Sequence, residues 1–383
     1  MNNKCHCGNN KNLKTIYYGR IRSGSFGKLT KDKFRILNCN KCDLKFLEKP
    51  KKKNFYETNE YRKKFNAASN FELRTEFPLY MQIELNQICN LRCPMCSITV
   101  PEAREKYIND KHMSWETYQK IILEAEKYEC PSLNPQGINE PLLDQDLESY
   151  IKFAKNHGFI DIMMNTNATL LSEERSRKLL GSGLTRLRFS LDAATKETFE
   201  KIRVGAKYDS VMKNIERFIK IRDQEGFKLP LVGVNFVKMK INEHEVNEFI
   251  EKWKDKVDFI VLQEFMPPEL ECDYSEFFTS DSTFQNQVVN SFNCQQPWQR
   301  FFIHNNGEVS PCCTTFSSEL ALGNVNNQSL YELWHSEAMN NLRKIHKDGR
   351  YMDNPWCDKC VKGMSGNANP SDLLQIRKIS APK

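Results

Sequence analysis

Between residues 80 and 265 the chain alternates two hydrophobic rhythms. Short runs rich in β-branched and aromatic residues, YMQIELN (80–86), SLNPQGI (132–138), DIMMNTN (161–167), RLRFSLD (186–192), LVGVNFV (231–237) and DFIVLQEF (258–265), predict strands. Between them, in WETYQKIILEAEKY, LESYIKFAKNHG, SEERSRKLLGSG, DSVMKNIERFIKIRDQEG and EHEVNEFIEKWKDK, apolar residues recur at spacings of three and four, which predicts amphipathic helices. Ser114, Ser172 and Asn242 stand where N-caps belong, and Gly158, Gly183 and Gly226 where helices end. Strands alternating with helices predict an α/β fold, a parallel sheet with helices outside. An open (β/α)6 TIM-like partial barrel and a doubly wound sheet both satisfy the pattern. In either, chemistry gathers at the C-terminal ends of the strands.

The flanks differ. Residues 1–50 carry short strand-like runs, LKTIYYGRI and KFRILN, with turns at Gly19, Gly24 and Gly27, the outline of a small β module. About 50 residues build too small a core to stand without a staple. Residues 51–78 open on KKKN and read as a basic linker that can dock as a helix. Near the C-terminus, FFI, the turn HNNG and EVSPC predict a hairpin.

The composition is that of a globular protein, with 39% hydrophobic and 27% charged residues over 383. No stretch approaches the ~18 apolar residues of a membrane span, and the polar start MNNKCHCGNN does not resemble a signal peptide. A cytoplasmic, membrane-free protein is expected. Residues 1–79 hold 19 Lys and Arg against 7 Asp and Glu, while the remainder is mildly acidic. Such a segment attracts phosphates, though a solvated lysine-rich surface needs no ligand. GSGL at 181–184 lacks the third glycine of a dinucleotide fingerprint, no phosphate loop of the GxxxxGK[ST] type occurs, and HEVNE at 244–248 is not a zinc protease motif.

Fourteen cysteines change the picture. In a reducing compartment, clustered cysteines bind metal more often than they form disulfides. They fall into three groups: Cys5, Cys7, Cys39 and Cys42; Cys89, Cys93 and Cys96; and Cys294, Cys312 or Cys313, Cys357 and Cys360. Cys130 and Cys272 stand alone. The paired knuckles CHCG and NCNKC suit structural zinc, with His6 able to replace a cysteine and an iron cluster as the rival. Four C-terminal thiolates suit zinc or an iron–sulfur cluster, and their chemistry alone does not separate the two. In ICNLRCPMCSI three thiolates follow the first strand in C-x3-C-x2-C spacing, leaving one iron of a four-iron cluster open to a ligand.

These residues resemble the radical S-adenosylmethionine (SAM) superfamily over roughly residues 79–265. The resemblance implies a 4Fe–4S cluster on Cys89, Cys93 and Cys96, whose open iron is chelated by SAM. Reduction then cleaves SAM to a 5′-deoxyadenosyl radical. QGINEPLL resembles the family's Gly-rich turn and makes Glu140 the acceptor for the SAM ammonium. NTNATLL places Asn167 near the SAM ribose. RFSLDAATKETFEKIR offers Ser190 and Arg203 to the ribose or carboxylate. Met95 stands where the family usually has an aromatic residue.

The C-terminal segment resembles a SPASM domain. Cys294, Gly307, Cys312, Cys357 and Cys360 match its pattern, and the glycine spacing favours Cys312 over Cys313. With no cysteine after Cys360, the shortened, twitch-like form with one auxiliary 4Fe–4S cluster is implied. The N-terminal knuckles are similar to zinc modules of some sugar-modifying methyltransferases. The organisation expected is a zinc-ribbon-like module (1–50), a basic linker (51–78), a radical SAM core (79–285), an auxiliary-cluster domain (286–365) and a tail (366–383).

The resemblance implies an oxidoreductase acting on a small polyol, sugar, nucleotide-sugar or aminocyclitol, by dehydrogenation or epimerisation. The auxiliary cluster would accept the substrate electron in the first case, and Cys130 or Cys272 would return hydrogen in the second. An external flavodoxin or ferredoxin would supply electrons. One alternative is a SPASM-type maturase of a ribosomal peptide. Another is an RNA-modifying or nucleic-acid-binding protein using the basic ribbon, which lacks an RNA-stacking motif.

Overall fold

The computed structural model describes residues 60–269, 272–280, 292 and 294–364, together with the backbone of three short N-terminal strands. Those strands, β1 (Leu13–Gly19), β2 (Phe34–Cys39) and β3 (Lys45–Glu48), form an antiparallel sheet in that order. Cys5, Cys7 and Cys42 lie outside the described residues, as does the side chain of Cys39, so the zinc assignment has no geometry here.

The core is a sheet of parallel strands that follow one another in chain order: β4 (Tyr80–Ile83), β5 (Ser132–Asn134), β6 (Asp161–Thr166), β7 (Arg186–Ser190), β8 (Leu231–Lys238) and β9 (Phe259–Glu264). A doubly wound sheet reverses direction at a switch point. No reversal occurs here, so the fold is the partial barrel. Helices α3 (Trp115–Lys127), α4 (Leu147–Asn156), α5 (Glu173–Leu180), α7 (Tyr208–Gln224) and α8 (Val246–Trp253) cover its outer face; α2 (Pro101–Tyr107) and α6 (Lys196–Ile202) are shorter helices beyond strand ends. Ser114 and Ser172 cap α3 and α5 through Thr117 and Arg175 N–H. Asn242 does not cap a helix. Its carboxamide donates to the carbonyls of Asp192 and Val237 and accepts from Met239 N–H, tying two loops together. The three glycines at helix exits all take positive φ.

Strand alternation splits the side chains. Met81, Ile83, Leu133, Ile162, Met164, Leu187, Phe189, Val232, Val234 and Phe236 join the outer core beneath the helices. Their neighbours therefore face the barrel interior. Helix α1 (Glu60–Ser69), inside the expected linker, closes the N-terminal end of that interior. Tyr61 and Phe65 pack with Tyr80, Met163 and Trp298. Asp161, at the start of β6, accepts Arg62 Nη2 at 2.6 Å and both Nε and Nη2 of Arg186 at 2.8 Å. Burial alone would raise the Asp161 pKa, but the two guanidiniums overcome it and hold the carboxyl below its usual range.

After α9 (Gln296–Gln299), strand β10 (Arg300–Ile303) joins the barrel sheet parallel to β4. The expected hairpin follows, with β11 (Glu308–Ser310) antiparallel to β10 and β12 (Gly323–Asn324) beyond it. The chain ends its described course in α10 (Leu330–Trp334), α11 (Glu337–Lys347) and α12 (Pro355–Met364). Among the described residues, no helix is long and apolar enough to cross a membrane.

Candidate active site and auxiliary cluster site

The loop after β4 carries Cys89, Cys93 and Cys96 at the C-terminal edge of the sheet. Tight turns shape it: Cys96 N–H donates to the Cys93 carbonyl at 3.0 Å, and Thr99 N–H to the Cys96 carbonyl at 2.8 Å. Burial pushes the Cys96 thiol up to about 12, and the neighbouring thiols add to it; Cys89 and Cys93 are raised by burial too. Such thiols are protonated until a metal supplies the positive charge that makes them ligands.

The other expected SAM residues converge on this loop. Glu140 accepts Thr166 Oγ1 (2.6 Å) and Leu142 N–H (3.1 Å) on Oε1, and Asn167 N–H (2.7 Å) on Oε2. Its carboxylate thus clasps the turn after β5 to the end of β6 before any ligand arrives. Asn167 donates through Nδ2 to Asn90 Oδ1 at 3.0 Å, inside the cysteine loop. Arg203 pairs closely with Asp192 and lies with Nη1 3.9 Å from Cys93 Sγ, while its Nε has no partner. Ser190 ends β7 on the interior face.

Residues not singled out in the sequence line the interior. Asn235 Nδ2 donates to Asn165 Oδ1 (3.2 Å), Asn165 Nδ2 to Gln136 Oε1 (3.2 Å), and Gln136 Nε2 to the Asn139 carbonyl (3.4 Å). This carboxamide chain crosses the barrel wall and ends beside Glu140. Two buried oxygens, Asn235 Oδ1 and Asn134 Oδ1, have no hydrogen-bond partner. Asparagines at inward positions of otherwise apolar strands, as in GVNFV, are the signal that exposes them. Beside them, fully buried Glu84 accepts Ile138 N–H at 2.7 Å and Gln87 Nε2 at 3.0 Å, with His304 Nδ1 3.6 Å away.

The C-terminal cysteines meet at a second place. Cys294, Cys312, Cys357 and Cys360 line one cavity, partly open to solvent. Cys357 and Cys360 share a face of α12, Cys312 follows β11, and Cys294 precedes α9. Cys313 is not in the lining, and Arg300 Nη1 lies 3.9 Å from its sulfur. Burial lifts Cys294 to about 12 and Cys312 to about 11, and raises Cys357 and Cys360 as well. His346 stands among them with its pKa pushed down to about 4 by burial.

Among the described residues no three His, Cys, Asp or Glu side chains form the shell of a single metal ion. A four-iron cluster spreads its thiolates over separate irons, so wider-set cysteines around a cavity fit it better. Cys130 packs in the outer core just before β5, at the end of the strand opposite the cysteine loop, which is no place for a hydrogen donor to substrate. Cys272 packs with Met239, Phe265 and Tyr274.

Comparisons with known proteins agree with this layout. The sequence pattern of the Radical SAM superfamily matches residues 83–252, and that of SPASM, an iron–sulfur cluster-binding domain, matches residues 294–361. A GTP 3′,8-cyclase of Clostridium botulinum is 33% identical over 188 residues, covering 48% of this chain and 56% of that protein. The chain thus spans little more than half the length of that relative. A tungsten-containing aldehyde ferredoxin oxidoreductase cofactor-modifying protein of Pyrococcus furiosus is 26% identical over 321 residues, 73% of this chain and 86% of the relative. Among solved structures, Streptococcus suis SuiB bound to S-adenosylmethionine superposes with a TM-score of 0.57 at 14% identity, over 87% of this chain and 83% of that one. That likeness establishes the fold.

Proposed function

From the premise that this chain carries a radical SAM domain followed by a SPASM iron–sulfur domain, we propose that it abstracts hydrogen from a small hydroxyl-rich molecule: a sugar, nucleotide-sugar, aminocyclitol or other polyol. Cys89, Cys93 and Cys96 hold the SAM-binding 4Fe–4S cluster, and Cys294, Cys312, Cys357 and Cys360 the auxiliary one. Glu140, Asn167, Ser190 and Arg203 surround SAM. When bound, the first cluster and SAM supply hydrogen-atom abstraction, and the auxiliary cluster supplies a one-electron acceptor.

The observation that carries the substrate class is the carboxamide lining. A buried amide oxygen without a donor costs ~1–3 kcal/mol. Asn235 Oδ1 and Asn134 Oδ1 recover it when a substrate hydroxyl donates to them. An apolar substrate would leave both unpaired, and selectivity of this kind favours molecules with hydroxyls at those points. The pairing supports a place for Arg203 beside the first cluster: Asp192 fixes the guanidinium, and Nη1 lies 3.9 Å from Cys93 Sγ.

The test is anaerobic reconstitution with SAM and dithionite, followed by carbon-deuterated sugars, nucleotide-sugars and aminocyclitols. Deuterium transferred into 5′-deoxyadenosine from one of them supports the reading. Transfer from a peptide and from none of the polyols would replace it with the maturase alternative.

A further inference from the structure

Among the described residues, His346 meets two of the four C-terminal cysteines, the backbone N–H of Cys294 and the sulfur of Cys357. It lies on α11, only 2% exposed, on the same face as buried Met339 and Leu342. Cys294 N–H points at its Nδ1 at 3.4 Å. A backbone N–H can only donate, so Nδ1 is the acceptor and carries no hydrogen. The imidazole hydrogen must then be on Nε2, and Nε2 lies 3.4 Å from Cys357 Sγ. The tautomer is therefore fixed by the protein before any cluster is present.

We propose that His346 is a positioning residue of the auxiliary site that donates its Nε2 hydrogen to the Cys357 thiolate and so sets the reduction potential of the cluster held there. Hydrogen bonds to cluster sulfurs withdraw negative charge from the iron, which favours the reduced state and raises the potential. The same ring also ties Cys294, before α9, to Cys357, on α12, so it orients two ligands brought from distant parts of the chain. Cys312 has a different neighbour, Thr314 Oγ1 at 3.5 Å, so the donor set around the four thiols is uneven.

The inference rests on the reading that these four cysteines hold a 4Fe–4S cluster, and the experiment separates the two. Full-length protein is reconstituted anaerobically as wild type, His346→Gln and His346→Leu, with iron and zinc counted per chain. Potentiometric EPR titration then gives the potential of the auxiliary cluster. Leu removes the donor, and a shift to lower potential is expected. Gln keeps an N–H near the Nε2 position and is expected to recover most of it. In wild-type protein labelled with 15N-histidine, pulsed EPR of the reduced auxiliary cluster should show a weak 15N coupling that His346→Gln abolishes. This readout does not depend on the Leu variant folding. Absence of the coupling, or equal potentials in all three proteins at full iron content, overturns the role of His346. Zinc in place of iron in the wild-type C-terminal site overturns the cluster reading itself, and this role with it.

Discussion

Gly137 stands where a single methyl group tests how the turn after β5 is built. A Cβ there would lie 2.2 Å from Glu84 Oε1 and 2.6 Å from Glu84 Cβ. The second distance decides the matter, because a Cβ cannot swing away as a carboxylate can. In Gly137→Ala, therefore, either the turn or Glu84 must move. Moving Glu84 breaks its bonds from Ile138 N–H and Gln87 Nε2. At ~1 kcal/mol each these total about 2 kcal/mol, and overpacking a full site adds ~1–3 kcal/mol. A loss of about 3–5 kcal/mol is expected in urea unfolding, read by both far-UV circular dichroism and tryptophan fluorescence. The companion measurement is the same substitution in a Glu84→Gly background, where both the carboxylate and the obstructing Cβ are gone. There the cost of Gly137→Ala should fall by more than ~1 kcal/mol, the mark of direct coupling. An equal cost in both backgrounds would refute the argument.

Asp161→Asn should leave the guanidiniums of Arg62 and Arg186 without their shared carboxylate, at about 3–5 kcal/mol. Because the folded pKa of Asp161 is depressed, its contribution is present above the unfolded carboxyl pKa and disappears as pH falls through the folded value. The wild-type protein should thus lose more stability than the variant on going from pH 5 to pH 2, which acid titration by circular dichroism checks. In metal-free protein, Cys96 at about 12 against an ordinary 9.0 holds roughly a thousandfold less thiolate at pH 8, and iodoacetamide should label it correspondingly slowly beside a free thiol. Asn235→Leu, which removes the carboxamide chain's first donor and its unpaired acceptor, should raise KM for the true substrate while uncoupled SAM cleavage persists. Unchanged KM would remove Asn235 from the substrate pocket.

Local rhythm carried the strands and helices of the barrel, because each must bury one face and its period declares which. The ends were less legible. The second strand was expected to reach residue 138 but stops at Asn134, since Pro135 has no N–H to offer a ladder and Gln136 turns toward Asn165 instead. Helices α2 and α6 were missed, each of seven residues and too short for a period to stand out. Asn242 looked like a cap because caps are local, whereas its carboxamide bonds back to Val237 and Met239 and across to Asp192, 50 residues away. The cysteine groups were visible as groups since sequence spacing already limits them. Which side chains would stand beside the thiols was not, because His346 reaches Cys294 across 52 positions and Arg203 reaches Cys93 across 110.

The two cysteine sites are joined by more than sequence. Strand β10 belongs to the SPASM segment, yet it pairs along all four residues of β4, the strand that feeds the cysteine loop. Glu84 N–H, just past that strand, donates to the Ile303 carbonyl at 2.8 Å, carrying the pairing into the loop itself. An unpaired β4 would be an open edge at the side of the barrel nearest the chemistry. Further out, Ser97, next to Cys96, lies with its hydroxyl 2.6 Å from that of Thr315, and the adjacent Thr314 reaches Cys312. Only two hydrogen bonds and short lengths of backbone thus separate a thiol of the first site from a thiol of the second. The C-terminal segment completes the sheet on which the first site is mounted, so the position of one set of cysteines is set by the same strands as the other. A substitution that loosens β10 should therefore disturb both sites together, whereas one confined to α12 should disturb the auxiliary site alone.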